Sequence, residues 1–193
     1  MLSTQQMTVA VADDEPEIRE FLRRILAHLG FEVVVSASNG HELVEHGLLL
    51  RPQLVVTDVR MPELSGVDAV RQLGRSVPLF AILVTGHLAE VSTSEELSDY
   101  LVALLEKPIR RRDLEPVLQQ AQQTVCEFDL LHSQATSLVE AREHRRIVER
   151  AKLVVAERGW APHNDAFTWL RDSAEGRQTT VARLATSLLS ESD

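Results

Sequence analysis

The stretch Leu54-Val55-Val56-Thr57-Asp58-Val59-Arg60-Met61-Pro62-Glu63-Leu64-Ser65-Gly66 decides how most of this 193-residue chain is read. Leu54–Thr57 is an apolar, β-branched run without charge, which is how a strand buried on both faces of a parallel sheet reads. The run ends on Asp58, and a helix carrying Val67, Val70 and Leu73 on one face follows Ser65-Gly66. The same grammar recurs on both sides. Thr8–Ala12 runs into Asp13-Asp14-Glu15, Leu79–Val84 into Thr85-Gly86, and Leu101–Leu105 ends shortly before Lys107-Pro108. In an open α/β sheet the carboxyl ends of the strands line one crevice, and ligands bind there. Carboxylates, a hydroxyl and an ammonium that are far apart in sequence are therefore expected to meet at one edge.

The remaining elements fit that sheet. Pro16 follows the acidic cluster at a helix start, and Ile18, Phe21, Leu22, Ile25, Leu26 and Leu29 recur at helical spacing up to Gly30. Phe31–Ala37 reads as strand two, Asn39-Gly40 as a turn and His41–Leu50 as helix two. A fourth helix is expected from a cap at Ser92 or Ser94 to about Tyr100, and a fifth from near Asp113. The pattern is (βα)5, predicting an α/β fold: a doubly wound, flavodoxin-like parallel sheet with right-handed crossovers. No glycine interrupts Asp113–Val139, and a heptad frame can be laid over it. One seam takes Leu114, Ala121, Phe128 and Ala135, the other Val117, Thr124, Leu131 and Leu138, which predicts a coiled-coil dimer. Three short helices follow. Ile147, Ala151, Val154 and Val155 face inward on the first, Ala166, Phe167 and Leu170 on the second, and Val181, Leu184, Ala185 and Leu188 on the third. The expected division is residues 1–112 as a core domain with helix five continuing to about 125, 113–139 as a helical coiled-coil linker, and 140–189 as a three-helix bundle.

Composition narrows the function. Aromatic residues are only 4% of the chain, so the core must be aliphatic. No apolar stretch approaches the ~20 residues of a membrane span, and Met1–Gln6 has no signal-peptide character. A cytoplasmic protein without membrane attachment is expected. The lone Cys126 excludes an internal disulfide. Residues 1–110 hold 9 Lys/Arg against 16 Asp/Glu, a balance of −7, whereas residues 141–193 hold 9 against 8, or +1. Only the last segment can approach a polyanion without repulsion. The chain carries no Cys/His cluster, Ser-His-Asp arrangement or glycine-rich nucleotide loop, and its seven histidines lack metal-ligand spacing.

With Asp13-Asp14-Glu15, Asp58 through Gly66, Thr85-Gly86 and Lys107-Pro108 in this order and spacing, residues 7–125 resemble the receiver domain of two-component response regulators. The resemblance implies that Asp58 accepts phosphate from a sensor histidine kinase. It also implies that Asp13, Asp14, Asp58 and the backbone carbonyl of Arg60 organise Mg²⁺, and that Thr85, Gly86 and Lys107 form the phosphoryl-binding switch. The chemistry agrees, since phosphoryl transfer needs charge neutralisation and in-line placement more than covalent help, and Mg²⁺ takes oxygen ligands while keeping waters. The only catalysis implied is autophosphorylation and autodephosphorylation; an independent enzyme is not. Leu104 stands where the family commonly has an aromatic switch residue. Arg60 and His87, each two residues beyond Asp58 and Thr85, are expected to screen the attacking water and tune phosphoryl lifetime.

Arg145 through Gly159, Asp165 through Ala174 and Val181 through Ala185 resemble the ANTAR domain, an RNA-binding antiterminator module. Leu153 and Arg183 depart from its common pattern. The resemblance implies a homodimer, at least when active, binding tandem hairpins of a leader RNA. Arg146, Arg150, Lys152, Arg177, Gln178, Thr179, Thr180 and Arg183 are the candidate RNA contacts. Trp160 and Trp169 read as packing residues rather than base-stacking platforms, and Phe167 as core. The alternatives are a DNA-binding or a protein-binding helical output; against the first, helix three carries a single arginine, a poor reader of the major groove.

Overall fold

The computed structural model describes residues 6–87 and 95–191; the expected caps Ser92 and Ser94 and the first five residues lie outside them. Strands β1 (Thr8–Ala12), β2 (Glu32–Ala37), β3 (Leu54–Asp58), β4 (Phe80–Thr85) and β5 (Leu101–Glu106) form one sheet in the order β2-β1-β3-β4-β5. Every neighbouring pair is parallel. The strands alternate with α1 (Pro16–His28), α2 (Gly40–Leu50), α3 (Gly66–Gly74), the short α4 (Glu95–Ser98) and α5 (Arg111–Ser133). This is the doubly wound parallel sheet the alternation predicted, in the receiver-type arrangement the resemblance implied. β3 and β4 are buried throughout, which explains why they carry no charge before their last residues. β4 ends at Thr85, as expected, with Asp58 paired to Val84 and Thr85 to Glu106. Polar residues at the strand ends are thus part of the sheet, and their side chains inherit its geometry. On α1, Leu22 and Leu26 are buried but Phe21 is exposed, since the expected apolar arc is wider than the face the sheet covers.

The chain divides into two compact units, with the boundary inside α5 between Val125 and Cys126. Helix α5 does not reach Val139; it stops at Ser133, and α6 (Leu138–Glu157) begins after a four-residue break. The break has a local cause. Ser137 caps α6 by accepting a hydrogen bond from the Glu140 N–H at 3.2 Å. Glu140 in turn accepts from the Thr136 N–H at 2.7 Å and the Thr136 hydroxyl at 2.5 Å. Ser137-Leu138-Val139-Glu140 is therefore a capping-box sequence, a stop-and-restart signal. The expected two-seam coiled coil is corrected accordingly. The buried line on α5 is Leu114, Leu118, Ala121, Val125, Phe128 and Leu131, all covered within one chain, while Val117 and Thr124 are only half-buried. Ala135 falls in the break and Leu138 in the next helix.

In the second unit, α6 is followed by a 3-10 turn (His163–Asp165), α7 (Ala166–Gly176) and α8 (Val181–Ser190). Their core joins Val148, Ala151, Val155, Ala166, Phe167, Leu170, Ala174, Val181, Leu184, Ala185 and Leu188 with Leu131 of α5. Val148 takes the central place expected for Ile147, which packs at the margin. Four of these core residues are alanines, so the helix backbones can approach closely.

The cap predicts a measurable cost. Ser137→Ala should lower the stability of the second unit by about 1 kcal/mol, read in urea by tryptophan emission, because both tryptophans lie in that unit. Hydrogen bonds from Thr136 hold the Glu140 carboxyl below its ordinary value of 4.5. Its contribution is therefore present above that pH and lost as pH falls through the lowered value.

Candidate functional site: an acidic crevice with one lysine

Each wall of the crevice is fixed by the residue that ends a strand. At the end of β1, the Asp13 N–H donates to the Ala37 carbonyl at 3.2 Å, which extends the β1–β2 ladder by one bond. Its Oδ1 then accepts from the Glu15 N–H at 2.9 Å, closing the turn into α1. Asp13 is fully buried. At the end of β3, the Val59 N–H donates to the Val84 carbonyl at 2.8 Å, and Asp58 Oδ1 accepts from the Arg60 N–H at 3.2 Å. Gly66 permits this turn: a Cβ there would collide with the Asp58 carbonyl oxygen and the Thr57 hydroxyl. At the end of β5, the Lys107 N–H donates to the Thr85 carbonyl at 2.8 Å, which aims the lysine stem across the crevice. The Lys107-Pro108 peptide is cis.

The lysine ammonium meets three carboxylates. Nζ lies 2.7 Å from Asp58 Oδ2, 2.9 Å from Glu15 Oε1 and 3.1 Å from Asp13 Oδ2. Burial works against the charge on Lys107, but its hydrogen bonds to Asp58 and Glu15 and the attraction of the Asp13 carboxylate prevail and hold its pKa above the usual lysine range. For Asp13 burial dominates, raising its carboxyl pKa against the opposing Glu15 N–H bond and Lys107. Glu15 was quoted in the sequence motif without a role; its contact with Lys107 spans 92 positions and has no local signal.

The donor set fits a small divalent cation. Asp13 Oδ2 is buried and, although within ion-pair distance of Lys107, makes no hydrogen bond of proper geometry. The distance alone marks electrostatic attraction, so the oxygen retains lone pairs for a ligand. Asp13, Asp14 and Asp58 each offer an oxygen, all within 4.8 Å of one another. An octahedral ion with oxygens at about 2.1 Å places opposite ligands about 4.2 Å apart. The spacing suits that geometry.

Thr85 is buried at the same edge, with its hydroxyl accepting from the His87 N–H at 3.1 Å and facing the His87 carbonyl at 3.3 Å. His87 Nδ1 lies 3.0 Å from Arg60 Nη2, so the two residues singled out beside the phosphoacceptor motifs touch. Gly86 has open space around it and ordinary backbone geometry; sterics do not require glycine there. Leu104 packs at the margin of the core, and Tyr100 is buried with its ring against Gly74. Neither provides an aromatic rotamer at the crevice.

In the second unit, Arg146, Arg150, Arg177, Gln178 and Arg183 are exposed, and Thr179 and Thr180 are half-buried. Arg146 pairs with Glu143 at 3.1 Å. Thr180 caps α8, its hydroxyl accepting from the Arg183 N–H at 3.3 Å. Gln178 holds a left-handed backbone at φ 52° in the turn between α7 and α8. Lys152 differs from the expectation for it. It shares a helix face with Val148 and Val155, is 8% exposed, and its ammonium pairs with Glu127 at 3.1 Å and Glu149 at 3.3 Å. It is an internal ion-pair residue rather than a surface contact.

A parallel β2-β1-β3-β4-β5 sheet whose strand ends gather an acidic cluster, a threonine and a lysine defines a receiver-type signalling domain. Comparison with known proteins extends that class to the whole chain. Residues 9–119 match the response regulator receiver domain and residues 136–189 the ANTAR domain. The chain therefore belongs to the response regulators that couple a receiver to a C-terminal ANTAR domain. The transcriptional regulatory protein PdtaR of Mycobacterium tuberculosis is 34% identical over 182 residues, covering 94% of this chain and 88% of that one. The positive alginate biosynthesis regulatory protein of Pseudomonas aeruginosa is 38% identical over 118 residues, 60% of this chain and 47% of that one. Among solved structures, the response regulator domain of Thermotoga maritima CheB matches with a TM-score of 0.54 at 28% identity, covering 63% of this chain and 97% of that one. Among the described residues, no helix is long and apolar enough to cross a membrane.

The buried Lys152 predicts that charge removal acts on folding. Lys152→Ala, which takes the Lys152 ammonium away from Glu127 and Glu149, should destabilise the second unit by about 3 kcal/mol. Lys152→Met combined with Glu127→Leu should recover most of that loss, measured by urea unfolding.

Proposed function

We propose that the chain is a phosphorylation-controlled antiterminator: Asp58 takes a phosphoryl group from a sensor histidine kinase, and the output unit, acting as a dimer, binds tandem hairpins of a leader RNA. The observation that carries this reading is the Lys107 ammonium 2.7 Å from Asp58, beside two further aspartates, in a chain that ends in an ANTAR domain. In the transfer, an Asp58 carboxylate oxygen attacks phosphorus as the bond from phosphorus to the phosphohistidine nitrogen breaks. The acyl phosphate forms, and the departing imidazole takes a proton from solvent. Asp13, Asp14, Asp58 and the Arg60 carbonyl would hold Mg²⁺, which when bound neutralises the phosphoryl oxygens and aligns them for in-line transfer. Lys107 follows the new phosphoryl oxygens as a point charge. Exposed Glu15 is the partner it releases at least cost, whereas Asp13 is buried and depends on compensation.

The Thr85 hydroxyl, turning toward the phosphoryl group, breaks its bonds to the His87 backbone. Because His87 also touches Arg60, that movement disturbs both residues over the crevice. The event at Asp58 then biases a local two-state element, as a switch requires. In the output unit, Arg146, Arg150, Arg177, Gln178, Thr179, Thr180 and Arg183 are the contacts for phosphates and unpaired loop bases. Lys152 supports them from inside.

Two experiments test this reading. Wild type incubated with Mg²⁺ and labelled acetyl phosphate should take up label that Asp58→Asn cannot, and only the labelled protein should shift a double-hairpin leader RNA strongly in a gel. Equal, negligible RNA binding in both states rejects the antiterminator. Separately, Arg60→Ala and His87→Ala should each change the autodephosphorylation rate by several-fold; unchanged rates remove the screening role from the pair.

A further inference from the structure

Trp160 follows the end of α6 in a turn fixed by Gly159 at φ 68° and by the Trp160 N–H bond to the Val155 carbonyl at 3.1 Å. Hydrophobic residues at this position usually pack back onto the helix they follow. Trp160 instead stays 43% exposed, with its ring stacked on Trp169 at 5.1 Å between centroids and 26° between planes. Trp169 packs on the margin of the second core, so it is the anchored member of the pair. The Arg158 guanidinium lies 5.0 Å from the Trp160 ring centre.

We propose that Trp160, backed by Trp169, is a stacking site for an unpaired RNA base, with Arg158 as its placeholder. This rests on the RNA-binding reading above but adds a ligand position outside the arginine and threonine set assigned there. Four arguments carry it. The rigid turn and the second indole hold the ring in one place, so little order is lost when a base arrives. The contact that a base would displace is the weaker one, because a guanidinium over an exposed indole contributes less than a base stacked on an aromatic side chain. The displaced guanidinium gains a phosphate, the partner its forked donors fit best. Residues 141–193 carry a balance of +1 against −7 for residues 1–110, so a polyanion is tolerated in this part of the chain. The site takes a base through its π-face, whatever its identity, from a loop or single strand where bases are unpaired.

The chain has two tryptophans, so its intrinsic emission reports this pair directly. Full-length phosphorylated protein would be titrated with the double-hairpin RNA and, separately, with a single-stranded hexaadenylate. Expected are quenching by both RNAs and a roughly tenfold weaker Kd in Trp160→Ala, with Trp160→Phe retaining most of the affinity. Equal urea midpoints for the two variants exclude a folding effect, and the comparison of wild type with Trp160→Phe stands alone if the alanine variant unfolds. Hairpin binding without quenching, or with equal Kd in wild type and Trp160→Ala, overturns the stacking site and leaves the antiterminator intact. Quenching by hexaadenylate that Trp160→Ala abolishes, with no hairpin shift, keeps the site and rejects the antiterminator. Quenching by neither RNA overturns the site, as does an emission change with protein concentration alone, which would identify a second copy of this chain as its occupant.

Discussion

One ammonium held between three carboxylates organises the receiver unit. Asp13, Glu15 and Asp58 converge on Lys107 because the parallel sheet ends its strands at a common edge. Unit charges about 4 Å apart near a protein surface interact by about 4 kcal/mol, so clustered acids are costly unless cations answer them. Lys107 answers part of that charge, and with Asp14 beside them the acids still outnumber it. The excess suits the crevice to a cation, and in the proposed reading a cation beside the ammonium would in turn suit it to a phosphoryl group. Glycine at position 66 and buried Thr57 serve this arrangement by letting the chain leave β3 tightly without disturbing Asp58.

Most of the receiver was legible because a parallel sheet writes itself plainly. Each buried strand must be apolar along its length, so its first polar residue marks both its end and the site. Asp13, Asp58 and Thr85 stand at such ends and Lys107 one residue past Glu106, the last of β5, and the structure brings these strand ends to one edge. What the sequence concealed were contacts between side chains remote along the chain. Glu15 reaches Lys107 across 92 positions and Glu127 reaches Lys152 across 25, and no spacing rule predicts either. Lys152 had a readable signal that was overridden by its charge: it lies four residues after Val148 and three before Val155, on the buried stripe. Ser137 was readable too. A glycine-free run looked like a single helix, yet Ser137 and Glu140 have the capping-box spacing, and a cap ends a helix as effectively as a glycine.

The break at Ser133–Ser137 changes what α5 can do. A continuous amphipathic helix with a free seam would have to find that seam a second chain. Here Leu114, Leu118 and Ala121 are buried ahead of the Val125–Cys126 boundary and Phe128 and Leu131 beyond it, so the seam is already occupied. Any dimer of this chain must therefore use another surface or first release this one. The second course exposes several large apolar side chains and is the more expensive.

The switch faces a similar constraint. Tyr100 is buried against Gly74, and aliphatic Leu104 packs at the margin of the core, so neither position offers a ring that can travel between two rotamers at the crevice. What remains mobile in chemistry is the Thr85 hydroxyl, whose partners are the N–H and carbonyl of one residue, His87. A hydroxyl has one proton to donate, either to the phosphoryl group or to the His87 carbonyl, and an exchange of that kind is discrete. His87 also meets Arg60, so losing its backbone anchor affects the residue that follows Asp58 by two positions. In the proposed reading, the receiver signals through the backbone after β4 by exchanging hydrogen bonds, and the leucine at position 104 is what such a mechanism tolerates.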